Sequence, residues 1–256
     1  MTVTLNHERH GDPAAAPVVL LGSLGSDLSM WAPQIEALSA VAHVVTVDHR
    51  GHGKSPAPQG PYTLDELGTD IVALLDDLGL GAVHFVGLSL GGAVGQWLAA
   101  HHPERVRTLT LLCTSAAFAP AGPWHDRAAT VRSEGVASIA ESIVDRWFTP
   151  ALRDRDPALV ARHVEMVKAT TDEGYAACCE ALATWDGRPD LARIAAPTLV
   201  VAGEQDPATP PATMRELAAA ITGAAFHVVD PGAHLANVEQ SDRITELVVA
   251  HIANGR

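Results

Sequence analysis

Apolar positions in this chain follow two alternating patterns. Short runs rich in Val, Leu or Thr occur at residues 18–21, 41–48, 83–87, 106–113, 198–203 and 225–229, and most are bounded by Gly, Pro or Asp. Their length and composition predict β-strands. Between most of them, apolar residues recur at helical spacing. Residues 64–78 place Leu64, Leu67, Ile71, Leu74, Leu75 and Leu78 on one face, with Thr63 positioned to cap the start and Gly79 to end it. Residues 33–40, 90–102, 214–221 and 244–252 read as further helices. Nearly continuous apolar strands separated by helices predict an α/β fold, with a mostly parallel sheet flanked by helices. The stretch before Val18 has room for one or two antiparallel edge strands.

Residues 118–190 break the rhythm. They contain no good strand and read as helices at 136–147, 157–170 and 174–184, punctuated by Pro and Gly; the strand–helix pattern resumes at Pro197. This predicts a helical cap, residues 118–190, inserted before the last two strands of a core made of residues 1–117 and 191–256. A cap leaving the carboxyl end of a strand would cover the edge where open α/β sheets bind ligands.

Composition narrows the class. With 256 residues, 47% apolar and 18% charged, the chain can bury a sizeable core, and general disorder is excluded. No apolar run approaches the ~18 residues of a membrane span. The start, MTVTLNHERHGD, lacks a basic stretch followed by an apolar one and does not read as a secretory signal. Cys113, Cys178 and Cys179 are odd in number and two are adjacent, so no disulfide framework is expected and the reading is cytoplasmic. A net charge of −13 makes nucleic acid a poor partner. Neither metal-ligand spacing nor a nucleotide-binding glycine pattern is present, so no metal or cofactor is expected.

The sharpest local signal is Gly87-Leu88-Ser89-Leu90-Gly91-Gly92, which follows a predicted strand and opens a helix of small residues. A G-x-S-x-G turn in that context lifts the serine oxygen above the sheet, at a helix N-terminus. A serine needs a base, and the base needs an orienting acid; this architecture expects them in the order Ser, acid, His. Asp206 stands just past the strand at 198–203, and His234 lies between the last strand and the last helix. Glu204 sits too close to its strand end, and Asp230 ends the last strand, where it is placed to hold the His loop. The expected triad is therefore Ser89, His234 and Asp206. The expected oxyanion donors are the amides of Leu90, next to the serine, and Leu24, in the loop after the first parallel strand.

These residues resemble the α/β-hydrolase superfamily over nearly the whole chain. Asp48-His49-Arg50-Gly51-His52-Gly53-Lys54-Ser55 looks like that family's D-x-R-G-x-G-x-S turn and is read as structural, with Asp48 and Arg50 locking a loop. A narrower resemblance is to the 3-oxoadipate enol-lactonases. It is carried by the strings Ser23 to Trp31, Gly95 to Ala99, Arg146-Trp147-Phe148-Thr149-Pro150, Gly174 to Cys179, Asp206 to Pro211 and His234 to Gln240. Many hydrolases have His-Gly where this chain has Gly22-Ser23, a departure that is usual in the lactonase group. The resemblance implies hydrolysis of a small anionic lactone, 3-oxoadipate enol-lactone, in aromatic catabolism.

An acidic protein that takes an anionic substrate needs a specific cation. The cap offers Arg127 and Arg132 soon after Trp124. Arg132 is expected to anchor the carboxylate, with Trp124 as an apolar wall. The sequence leaves two rivals: another carboxylesterase, lactonase or C–C bond hydrolase on this scaffold, and a non-catalytic ligand receptor.

Overall fold

A computed structural model describes residues 1–255. Among them, one sheet runs in the order β1-β3-β2-β4-β5-β6-β7. Its strands are β1 (His7–His10), β2 (Pro17–Leu21), β3 (His43–Val47), β4 (Val83–Leu88), β5 (Val106–Leu112), β6 (Thr198–Gly203) and β7 (Ala225–Val229). β1 pairs antiparallel with β3, and the remaining neighbours pair in parallel. The segment before Val18 thus supplies one edge strand.

Helices α1 (Ala32–Ser39), α2 (Leu64–Asp77) and α3 (Leu90–His101) follow β2, β3 and β4. After β5 come α4 (Gly122–Glu134), α5 (Ala140–Val144), α6 (Pro150–Arg155), α7 (Pro157–Lys168) and α8 (Asp172–Thr184). Helix α9 (Pro211–Ala220) follows β6, and α10 (Ala236–Glu239) and α11 (Ser241–Asn254) follow β7.

Every residue of β3, β4 and β6 is buried. Successive side chains on a strand point to opposite faces, so both faces of the sheet are covered. Helix α2 begins as its sequence dictates. Thr63 accepts from the Glu66 amide while Glu66 reaches back to the Thr63 amide, closing a capping box. Its buried face is Leu64, Leu67, Ile71, Leu74 and Leu75. Helix α3 is buried from Leu90 to Ala100, and its small residues let it lie close against β4 and β5.

The chain leaves and re-enters the core through a narrow neck. Ala117 and Asp186 form an antiparallel bridge, and the Gly187 amide donates to the Ala116 carbonyl at 2.8 Å. Beyond the neck, α4 packs along α8. Among the bonds that tie this helical segment to the loops beneath it, the Leu235 amide donates to the Trp147 carbonyl and Thr171 Oγ1 donates to the Gly51 carbonyl, both at 2.9 Å.

The helical segment differs in detail from its sequence pattern. Helix α4 was not expected, because it buries only Ala128 and Val131 and carries no apolar stripe. The predicted helix at 136–147 is broken. Val136–Ser138 forms a 3₁₀ turn, Ile139 sits at φ −112° and ψ −4°, and α5 starts after it. No helix among the described residues is long and apolar enough to cross a membrane.

Candidate active site

Ser89, Asp206, His234 and Leu24 all follow the carboxyl ends of parallel strands, so the sheet brings them to one rim. Ser89 has φ 56° and ψ −111°, a backbone state that L-residues rarely adopt. Its amide donates to the Leu112 carbonyl at 2.9 Å, and its carbonyl accepts from Thr114 Oγ1 at 2.7 Å. These bonds hold the turn on β5. The flanking glycines are required by space. A Cβ on Gly87 would lie 2.2 Å from the Gly91 carbonyl oxygen, and one on Gly91 would lie 2.1 Å from that of Leu21. The Ser89 backbone carbonyl opens α3, leaving the Leu90 and Gly91 amides in its first turn.

Asp206 and His234 are joined by a hydrogen bond. Asp206 Oδ2 accepts from His234 Nδ1 at 2.8 Å and from Thr209 Oγ1 at 2.6 Å. Asp206 Oδ1 accepts from the amides of Ala208 and Thr209 at 2.8 and 3.2 Å. Burial alone would raise the Asp206 pKa, but the charge and hydrogen bond of His234, with the Thr209 and Ala208 donors, outweigh it and hold the carboxyl below its ordinary value. A carboxylate acceptor fixes the His234 proton on Nδ1 and leaves Nε2 as the basic nitrogen. The His loop is braced in turn by Glu239, which accepts from the Ala233 and Thr149 amides and from the Thr149 hydroxyl.

The loop after β2 is held by the D-x-R-G-x-G-x-S turn. Asp48 Oδ1 accepts from the Leu28 amide at 2.7 Å, and Arg50 pairs with buried Asp70 through two bonds of 2.7 and 2.8 Å. His49 and His52 also reach into the loop: His49 Nε2 lies 2.8 Å from the Gly22 carbonyl, and His52 Nε2 lies 2.9 Å from the Gly25 amide. Burial pushes both imidazole pKa values down, that of His49 to about 3. The unfolded chain protonates these rings below about pH 6.5, whereas the folded chain keeps His49 neutral to far lower pH. Their contribution to stability is therefore complete above that pH and shrinks as the pH falls, by on the order of 1 kcal/mol per pH unit for His49, with His52 acting in the same direction. Urea melts should show a lower midpoint at about pH 5 than at about pH 7; an equal or higher midpoint would contradict the assignment.

Ser89 and His234 line one cavity of about 170 Å³, together with Ser23, Leu24, Trp124, Arg127, Arg146, Trp147, Tyr175 and Thr209. Ser89 and a His234 imidazole held by a buried carboxylate thus open on the same cavity, the side-chain types of a serine nucleophile and its base. Trp124 is at the cavity wall. Arg132 is not: its guanidinium is exposed and donates to Glu173 and Glu180 at 2.6 to 3.1 Å. The expectation of Arg132 as the anchor is corrected, because two carboxylates already satisfy it. Arg127 and Arg146 line the cavity instead. The motif string around Arg146 held the clue for that residue, and the five-residue spacing from Arg127 to Arg132 hid the choice, since it places the two on different faces of α4. The three cysteines are free and buried, and burial raises each thiol pKa, which disfavours the thiolate.

Comparison with known proteins identifies the family. Residues 16–241 match the family described as the alpha/beta hydrolase fold. The chain is 41% identical over 248 residues to 3-oxoadipate enol-lactonase 2 of Acinetobacter baylyi, covering 97% of this chain and 92% of that protein. The enol-lactonase from Burkholderia xenovorans LB400 superposes with a TM-score of 0.96 at 40% identity, over 98% of this chain and 97% of that one. An esterase from Thermogutta terrifontis, solved with malate bound, superposes with a TM-score of 0.94 at 29% identity, over 99% of this chain and 94% of that one. By sequence match, sheet topology and the strand-end placement of Ser89, Asp206 and His234, the chain belongs to the α/β-hydrolase fold family.

Proposed function

We propose that the chain is a serine hydrolase of small anionic lactones, acting on 3-oxoadipate enol-lactone to give 3-oxoadipate in aromatic catabolism. In this reading His234 takes the Ser89 proton, and Ser89 attacks the lactone carbonyl. The amides of Leu24 and Leu90 hold the oxyanion, and Asp206 supports the imidazolium. Ring opening expels an enolate, which needs less protonation than an alkoxide because its charge is delocalised, and the His234 imidazolium gives it the proton taken from Ser89. The leaving group stays tethered in the acyl-enzyme, so ring closure competes with water until the enol becomes a ketone. Water then attacks the ester, with His234 as base, and releases Ser89.

One observation carries the choice of an anionic substrate. Arg127 and Arg146 both face the cavity that holds Ser89, and among the described residues neither is ion-paired. Burial and the like charge of Arg127 push the Arg146 pKa down. Arg127 also lies over the Trp124 ring, 4.7 Å from its centroid. Two guanidiniums that repel each other beside a serine are relieved by a carboxylate between them. The enol-lactonase relatives support the same substrate class. The relatives also include an esterase and a poly(3-hydroxyalkanoate) depolymerase, which makes a neutral ester the informative control.

Arg146→Met and Arg127→Met should each raise KM for the anionic lactone by about 10- to 100-fold, the worth of a charge-assisted hydrogen bond. Turnover of a neutral aryl ester should change by no more than about 2-fold. Equal losses on both substrates would refute the anionic reading.

A further inference from the structure

The turn that carries His49 and His52 does more than close a loop. Gly22, Ser23, Leu24, Gly25 and Ser26 form the segment from which Leu24 would donate to the oxyanion. Its carbonyls and amides are held individually. The Gly22 carbonyl accepts from the Gly91 amide at 3.0 Å, in the first turn of the helix that Ser89 opens, and it faces His49 Nε2 at 2.8 Å. The Ser23 carbonyl accepts from the Ser26 amide at 3.1 Å and from Ser26 Oγ at 2.8 Å. The Gly25 amide faces His52 Nε2 at 2.9 Å.

These partners dictate the two tautomers. A carbonyl only accepts, so His49 carries its proton on Nε2 and donates to Gly22. An amide N–H only donates, so His52 Nε2 is bare and accepts from Gly25. The second His52 nitrogen agrees: Nδ1 lies 3.1 Å from the Arg50 carbonyl and must be the protonated one. The rings are fully buried side by side, with centroids 5.7 Å apart and an edge contact at 62°. One donates and the other accepts, on the peptides that flank the peptide linking Ser23 to Leu24.

We infer that His49 and His52 are positioning residues for the oxyanion hole: opposite neutral tautomers that clamp the Gly22 carbonyl and the Gly25 amide and so fix the direction of the Leu24 N–H between them. Neither touches the substrate. Their effect falls on the transition state, because the ground-state carbonyl makes weaker demands on that amide than the oxyanion does. A packing role alone would be met by any side chain of similar volume; the clamp needs an acceptor at the His52 Nε2 position and a donor at the His49 Nε2 position. This inference rests on the serine-hydrolase reading above.

The test uses the full chain and a neutral aryl ester, with His52→Leu, His52→Gln and Ser89→Ala side by side. Removing an oxyanion donor outright costs about 10²- to 10³-fold in kcat. Misdirecting one through His52→Leu should lower kcat by about 30-fold or more, with KM within about 3-fold of wild type. His52→Gln keeps an acceptor near the Nε2 position and should recover kcat to within about 5-fold of wild type. A folded His52→Leu protein with near-normal kcat, or equal losses in the Leu and Gln variants, overturns the clamp. If Ser89→Ala loses turnover in the same experiment, that failure concerns the clamp alone; if Ser89→Ala stays active, the serine reading falls and the clamp with it. Should His52→Leu not fold, ¹⁵N spectra of the wild-type imidazoles decide. The clamp requires the proton on Nδ1 in His52 and on Nε2 in His49 at neutral pH, and either ring in the other tautomer overturns it.

Discussion

Replacing Ser89 by Ala is expected to lower kcat by at least about 10³-fold while the protein keeps its fold. The expectation follows from position rather than residue type. Ser89 sits at φ 56° on a turn bonded to β5, with α3 starting behind it and no room for a Cβ on either flanking glycine. Such backbone states cost of order 1–3 kcal/mol and persist where surrounding structure imposes them. The Oγ makes none of the bonds that hold the turn; the backbone amide and carbonyl do. Ala should therefore be tolerated structurally, and thermal melting should show a Tm close to wild type. Residual activity over water would come from the amides of Leu24 and Leu90 and from substrate positioning by Arg127 and Arg146. A folded Ser89→Ala protein with near-normal turnover would remove the nucleophilic mechanism altogether.

Asp206→Asn should also be severely damaging, with a loss in kcat on the order of 10⁴-fold. The local bonds force the outcome. Oδ1 of Asp206 faces the amides of Ala208 and Thr209, both donors, so the Asn oxygen must take that side. The Asn NH₂ then occupies the Oδ2 position and points at His234 Nδ1, where a donor now stands in place of an acceptor. His234 responds by shifting its proton to Nε2, which leaves no base toward Ser89. Thr209 Oγ1 can rotate its hydrogen away and accept from the new NH₂, so the fold has a way to accommodate the change. The variant should lose kcat with little change in KM. An Asp206→Asn protein within about 10-fold of wild type would show that the carboxylate does not set the tautomer.

Much of the framework was legible from the chain because it rests on period and punctuation. The apolar runs that became β2, β4 and β6 are buried on both faces, so they read as continuous hydrophobic strands. Helix α2 announced itself through a capping residue and an apolar stripe. The order of Ser89, Asp206 and His234 could be read because each sits at a strand end, and strand ends are visible from where apolar runs stop. The helical insertion was less legible. Helix α4 packs along α8 but buries only Ala128 and Val131, so no apolar stripe in its pattern marks a helix. The choice among Arg127, Arg132 and Arg146 depended on which guanidiniums meet carboxylates across helices, and only the fold brings Glu173 and Glu180 to Arg132. The histidines of the D-x-R-G-x-G-x-S turn looked unremarkable for a similar reason. Their partners, Gly22 and Gly25, lie 27 residues away in sequence.

The central claim is that Ser89 forms a covalent bond to its substrate, activated by His234. The most direct measurement is mass spectrometry of the full-length protein after inactivation by a fluorophosphonate, followed by peptide mapping. One adduct per chain, located on Ser89 and formed in step with loss of activity, is the predicted result. Activity that persists in fully exposed protein, or an adduct on another residue that accounts for the inactivation, would contradict it.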